Sequence, residues 1–126
     1  MGETVFRLTD GNPEVVLEGM MVTALAEMAG GGLVMVAPGG VLAYQDGEVM
    51  ELVGLDLPDG VRPNDGKSDP EGRLWFGTMD LATTKPIGAL YRYDQRSVAV
   101  TERGIVLSNG LGWSPDGTAF YHTDSI

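Results

Sequence analysis

Cysteine is absent from this 126-residue chain, and histidine occurs once, at His122. The first absence excludes a disulfide framework and any thiolate metal site, and the second excludes a multi-histidine metal centre. Basic residues are scarce as well: eight Lys and Arg stand against eighteen Asp and Glu, a formal charge of −10. That excess repels phosphate backbones and anionic headgroups at long range, so neither nucleic acid nor membrane is expected as a partner. No apolar run reaches the length that spans a bilayer as a helix. The residues after Met1-Gly2, Glu3 to Leu8, alternate as a strand does and lack the charged-then-apolar order of a signal peptide. A cytoplasmic location is the expectation.

What the chain has in quantity is punctuation. Nineteen Gly and seven Pro are too many for a helical bundle and suit short strands joined by tight turns. Apolar runs bounded by Gly, Pro, Asp and Asn predict strands at Thr4 to Leu8, Val15 to Leu17, Leu33 to Val36, Val41 to Tyr44, Val49 to Val53, Leu74 to Thr78, Ala89 to Tyr93, Val98 to Thr101 and Ala119 to Asp124. Met20 to Ala29 has helical propensity, but glycines bracket it and ten residues is short for a helix, so strand is favoured there too.

The runs repeat. GGLVMV (Gly31 to Val36), GRLWFG (Gly72 to Gly77) and GTAFYH (Gly117 to His122) share a turn glycine followed by an apolar strand, at spacings of 41 and 45. A second echo joins Val5 to Asp10, Val41 to Asp46 and Leu90 to Asp94. A period of 40 to 45 with several strands per unit is a propeller-blade signature, and the second echo marks third strands of successive blades. The reading is all-β: a partial β-propeller of about two and a half to three blades over residues 1–126, with no second domain. Tyr44 and Tyr93 should be equivalent, and the Asp69-Pro70-Glu71-Gly72 and Ser114-Pro115-Asp116-Gly117 turns should be structural.

Chemistry concentrates in Arg62-Pro63-Asn64-Asp65-Gly66 and Ser108-Asn109-Gly110. Alone, Asn64-Asp65-Gly66 reads as a turn and Asn109-Gly110 as a type I′ hairpin signal. Asp65 either orients its neighbours as an acceptor or caps a turn. Trp75 and Trp113 are expected to pack between sheets, His122 to be a strand residue near a loop, and Asp124 to hold structure by hydrogen bonds.

Taken together, RPNDGKSDPEGRLWFGTMD, GALYRYD and SNGLGWSPDGTAFYHTDS resemble, in order and spacing, the family of senescence marker protein 30, gluconolactonase and luciferin-regenerating enzyme. The resemblance is densest over Arg62 to Ser125. It implies a six-bladed propeller that hydrolyses sugar lactones or related cyclic esters with one divalent metal, calcium or zinc, as a Lewis acid. It further implies that Asn109 is a metal ligand, that Arg62 and Asn64 bind substrate, and that Asp65 supports them from behind. The family's other two ligands, a Glu in the first blade and a later Asp, have no counterpart here. Ala82 stands where some members carry an acidic residue that contacts substrate. The expectation is therefore part of a lactonase, with weak or no metal binding and no catalytic residue of its own. A different reading is a non-catalytic β-repeat module that binds a partner or self-associates through open blade faces.

Overall fold

The computed structural model describes residues 3–126, and its regular structure is entirely strand. The strands are β1 (Thr4–Thr9), β2 (Asn12–Glu18), β3 (Ala24–Glu27), β4 (Leu33–Ala37), β5 (Gly40–Gln45), β6 (Glu48–Gly54), β7 (Val61–Ser68), β8 (Leu74–Asp80), β9 (Gly88–Tyr93), β10 (Val98–Ile105), β11 (Ser108–Trp113) and β12 (Phe120–Asp124). They form four antiparallel meanders in chain order: the pair β1-β2, the sheet β3-β4-β5-β6, the sheet β7-β8-β9-β10 and the pair β11-β12. This is a partial propeller with two whole blades flanked by two half blades. The described residues contain no helix long and apolar enough to cross a membrane.

Local chemistry explains the meanders. Asp10-Gly11 and Asp46-Gly47 close the β1–β2 and β5–β6 hairpins with φ positive at both central positions, the conformation whose twist matches the flanking strands. In the turn before β8, the buried Asp69 carboxylate accepts the Glu71 and Arg73 amides through Oδ1, both at 2.9 Å, and Arg73 Nε at 2.7 Å and Trp75 Nε1 at 2.9 Å through Oδ2. Burial pushes this carboxyl's pKa up; the bonds from Trp75, Arg73 and Glu71 together outweigh it and hold the group below its ordinary range. The matching turn before β12 uses the exposed Asp116, whose pKa is drawn down to about 2 by the Ser114 hydroxyl and by Thr118. Both turns are structural, as expected.

Register confirms the repeat. Leu33 pairs with Tyr44 as Leu74 pairs with Tyr93, so the two tyrosines are equivalent. The third and fourth strands of successive units share a bulge at one place, after Val5, Val41 and Leu90. The segment Met20 to Ala29 contains strand β3 and no helix.

The sheets face one another. Ala24, Val36 and Val41 of the first whole blade pack on Leu74, Phe76 and Tyr93 of the second, with Phe76 stacked on Tyr91 at 5.2 Å. On the far side of β8, Trp75 meets Trp113 at 6.2 Å and Phe120 at 5.0 Å, which is the inter-sheet packing expected of both tryptophans. Alternation along β8 thus sends Leu74 and Phe76 one way and Trp75 the other.

Two strands have no counterpart among the sequence-predicted runs: β7 and β11, the first strands of their units. Both are polar and glycine-containing where a strand is normally apolar. These are the strands that carry the candidate chemistry.

Candidate functional site

Asn64-Asp65-Gly66 is not a turn. It lies inside the eight-residue β7, where Pro63 pairs with Thr78 and Gly66 with Phe76, leaving Asn64 and Asp65 bulged opposite Gly77. Asn109-Gly110 is not a hairpin either: it lies near the start of β11, where Ser108 pairs with Asp124 and Leu111 with His122, with a second bulge between Asn109 and Leu111. Counting from the first pair past each bulge makes His122 the equivalent of Phe76, and Asn109 the equivalent of Asn64. A bulge interrupts the ladder and re-aims its side chains, which is why polar residues accumulate at these points.

The two bulges are tied to each other. Asn64 donates from Nδ2 to the Ser108 carbonyl at 2.8 Å, and Asp65 accepts the Gly110 amide on Oδ2 at 2.8 Å. The peptide groups on both sides of Asn109 are therefore held by β7. Asp65 also accepts the Gly66 amide on Oδ1 at 2.9 Å, and Gly110 sits at φ +73. Arg62 donates from Nη1 to the Pro63 carbonyl at 2.8 Å and to Asn64 Oδ1 at 3.3 Å, which fixes the Asn64 amide in the sense that presents Nδ2 to Ser108. Arg62, Asn64 and Asp65 are half-buried and Asn109 is exposed. The structure thus brings Arg62, Asn64, Asp65 and the backbone around Asn109 into one cluster.

Three further residues complete the cluster, and the first, although part of the Ser108-Asn109-Gly110 motif, had no role of its own in the sequence reading. Ser108 is fully buried, and its hydroxyl lies 2.8 Å from His122 Nε2. It occupies the space left by the missing side chain of Gly77: a Cβ there would collide with the Ser108 hydroxyl and Cβ. His122 is a strand residue, as expected, with that hydroxyl as its partner. Asp124 accepts the Leu107 amide at 2.9 Å on Oδ1 and the Val106 amide at 3.1 Å on Oδ2. The Leu107 bond is the main reason its carboxyl lies below the ordinary range; partial burial opposes it and Val106 adds to it. The structural role expected of Asp124 is what the geometry gives. Beside the cluster, buried Asp80 folds the following loop onto its carboxylate, accepting the Thr84 amide at 3.0 Å and the Lys85 amide at 2.8 Å; these two bonds lower its pKa.

Chemically, the cluster offers hydrogen-bond donors and amide oxygens with one guanidinium. Among the described residues Arg62 is hydrogen-bonded through Nη1, which leaves Nε and Nη2 without a protein partner there. A divalent cation does not fit the described residues by themselves. No three Asp, Glu or His side chains converge among them, and Asn109 supplies one neutral oxygen where calcium takes six to eight.

The chain has relatives. Over 100 residues the chain is 36% identical to the 6-deoxy-6-sulfogluconolactonase of Pseudomonas putida, an alignment covering 76% of this chain and 34% of that protein. Regucalcin of Danio rerio is 43% identical over 68 residues, 52% of this chain and 23% of the relative. The crystal structure of a calcium-binding protein, regucalcin, from Agrobacterium tumefaciens superposes with a TM-score of 0.88 at 28% identity, over 98% of this chain and 44% of that one. The chain spans less than half the length of each of these relatives. Residues 2–126 match the family described as "SMP-30/Gluconolactonase/LRE-like region". With a match over nearly its whole length, the chain belongs to the SMP-30/gluconolactonase/LRE-like family.

Proposed function

We propose that this chain contributes the substrate-orienting part of a cytoplasmic hydrolase of sugar lactones or related cyclic esters. The observation that supports the reading is the pair of hydrogen bonds by which Asn64 and Asp65 grip the peptide groups on either side of Asn109. Such a grip has a clear use if Asn109 must present its amide at a fixed point. Arg62 carries a fork of donors suited to a lactone carbonyl and ring hydroxyls, and Asn64 keeps that fork oriented by accepting from Nη1. A divalent cation, calcium or zinc, belongs to this reading through Asn109 only with oxygen ligands beyond those in residues 3–126; when bound it would polarise the lactone carbonyl.

The 126-residue chain alone is expected to show no lactonase turnover and no tight metal site, because one neutral ligand does not offset dehydration of a divalent cation. A chimera in which this chain replaces the matching segment of a lactonase relative tests the assignment on a panel of aldonolactones. Activity is expected there, abolished together with bound metal by Asn109→Ala and lowered with the metal retained by Asn64→Ala. Undiminished rate in a folded Asn109→Ala chimera overturns the reading.

A further inference from the structure

Asn109-Gly110 carries a chemical hazard of its own. The nitrogen of a residue that follows asparagine can attack the side-chain amide carbon, and glycine favours the reaction because it has no Cβ to obstruct the approach. The chain has three asparagines. Asn12 precedes Pro13, whose nitrogen carries no proton, and Asn64 precedes Asp65, whose side chain obstructs; Asn109 alone precedes glycine. It also lies in a bulge: Asn109 pairs with Thr123 and Leu111 with His122, so the register passes over Gly110, which sits at φ +73. A residue outside the ladder lacks the restraint that regular pairing gives its peptide. This one is held instead from β7, by Asp65 Oδ2 on the Gly110 amide at 2.8 Å and by Asn64 Nδ2 on the Ser108 carbonyl at 2.8 Å.

We propose that Asn109-Gly110 is a latent self-modification site, which Asp65 and Asn64 keep unreacted. The step they block is intramolecular. The Gly110 nitrogen bonds to Asn109 Cγ, the Cγ–Nδ2 bond breaks, and the amide proton leaves with the side-chain nitrogen as ammonia; a succinimide ring remains. Water then opens the ring at either carbonyl, to aspartate or to isoaspartate, and nothing is oxidised or reduced.

Two effects of the hold slow the attack. To reach Cγ, the Gly110 nitrogen must swing about the Cα–C bond of Asn109. That swing carries the N–H off Asp65, while the Ser108 carbonyl, tied to Asn64, keeps the neighbouring peptide from following. The nitrogen must also give up its proton as it bonds, and an anion there would stand against the Asp65 carboxylate, so like charge opposes the reactive form. The products differ from asparagine in ways the strand would register: isoaspartate lengthens the main chain by a methylene inside β11, and aspartate puts a negative charge where the neutral amide stood. Asn109 thus keeps its amide because of its neighbours on β7. This proposal does not depend on the lactone-site reading, since neither substrate nor metal enters it.

The rate of deamidation of the purified chain at neutral pH tests it. Cleavage after Arg103 releases residues 104–126, in which Asn109 is the one side-chain amide, so the mass gain of amide-to-acid conversion in that peptide reports this residue by itself. The folded chain is expected to react at least about tenfold more slowly than the same chain in urea, and folded Asp65→Ala at least about tenfold faster than the folded wild type, the factor that loss of a hydrogen bond to a charged group brings. Asn64→Ala should accelerate the reaction by less. Val41→Ala, which removes a side chain packed between the two whole blades, should leave the rate of the folded protein unchanged. Where Asp65→Ala fails to fold by circular dichroism, the urea comparison and Asn64→Ala carry the test. Equal rates in the folded and urea-unfolded chain, no acceleration in the folded β7 variants, or equal acceleration by Val41→Ala would overturn the proposal.

Discussion

The seam between the two whole blades and the seam between the second blade and β11–β12 hold equivalent elements together by different physics. The first is an apolar layer of Ala24, Val36 and Val41 against Leu74, Phe76 and Tyr93. The second begins as an aromatic layer of Trp75, Trp113 and Phe120 and turns polar where β7 and β11 approach, at Asn64, Asp65, Ser108 and His122. Apolar burial is proportional to area and has no direction, so the first seam sets how closely two sheets lie. Hydrogen bonds have preferred lengths and angles, so the second also sets where a particular residue, Asn109, stands. The lesson is that one seam serves stability and the other serves position.

Removing Phe76 should break the first seam with the largest effect. Its side chain is fully buried, and Phe76→Ala should cost about 4 kcal/mol, read as a fall in the denaturant midpoint by circular dichroism. At the second seam, Gly77→Val should cost about 2 kcal/mol or more by forcing β11 away from β8. Its distinguishing mark, read in a Trp75→Phe background where Trp113 is the one tryptophan, is a change in Trp113 fluorescence in the folded protein, which Phe76→Ala should not produce at matched stability.

Acid should separate the seams. Asp124 has a folded pKa below its ordinary value, so the stability it confers is fully present above the unfolded value of roughly 3.9 and is lost as pH falls through the lower folded value. The β11–β12 end is therefore expected to loosen in that window before the first seam does. In the Trp75→Phe background Asp124→Asn should reduce this pH dependence of Trp113 fluorescence, the remainder belonging to Asp116 of the same hairpin; an unchanged profile would place the acid-sensitive group elsewhere.

Smaller changes sharpen the contrast between stability and position. Asp65→Asn weakens one charge-assisted bond to the Gly110 amide and should cost only about 1 kcal/mol, yet speed hydrogen exchange at Asn109 and Gly110 more than elsewhere. Tyr44→Phe deletes the bond from the Tyr44 hydroxyl to the Val16 carbonyl, 3.1 Å long and half-buried, and should cost at most about 1 kcal/mol, felt at the β1–β2 pair. Exchange of the Val16 region by mass spectrometry checks it.

The repeat was legible in the amino-acid order, because a strand with one buried side announces itself by alternation and a tight turn by Asp, Pro and Gly. From those signals came the all-β fold, the third-strand equivalences and the structural turns at Asp69 and Ser114. It also pointed to Arg62, Asn64, Asp65 and Asn109, through a resemblance carried by whole motifs. That these residues lie on strands emerged from the pairing of β7 with β8 and of β11 with β12. The first strands β7 and β11 have polar residues and glycines where alternation would place apolar ones, so periodicity passes over them, and a bulge looks like a turn until its partner strand is known. Likewise, nothing local accounts for the burial of Ser108 or explains Gly77. The serine is buried because the neighbouring blade lacks a side chain at that point, and such complementarity exists only between residues that are far apart in the chain and adjacent in space.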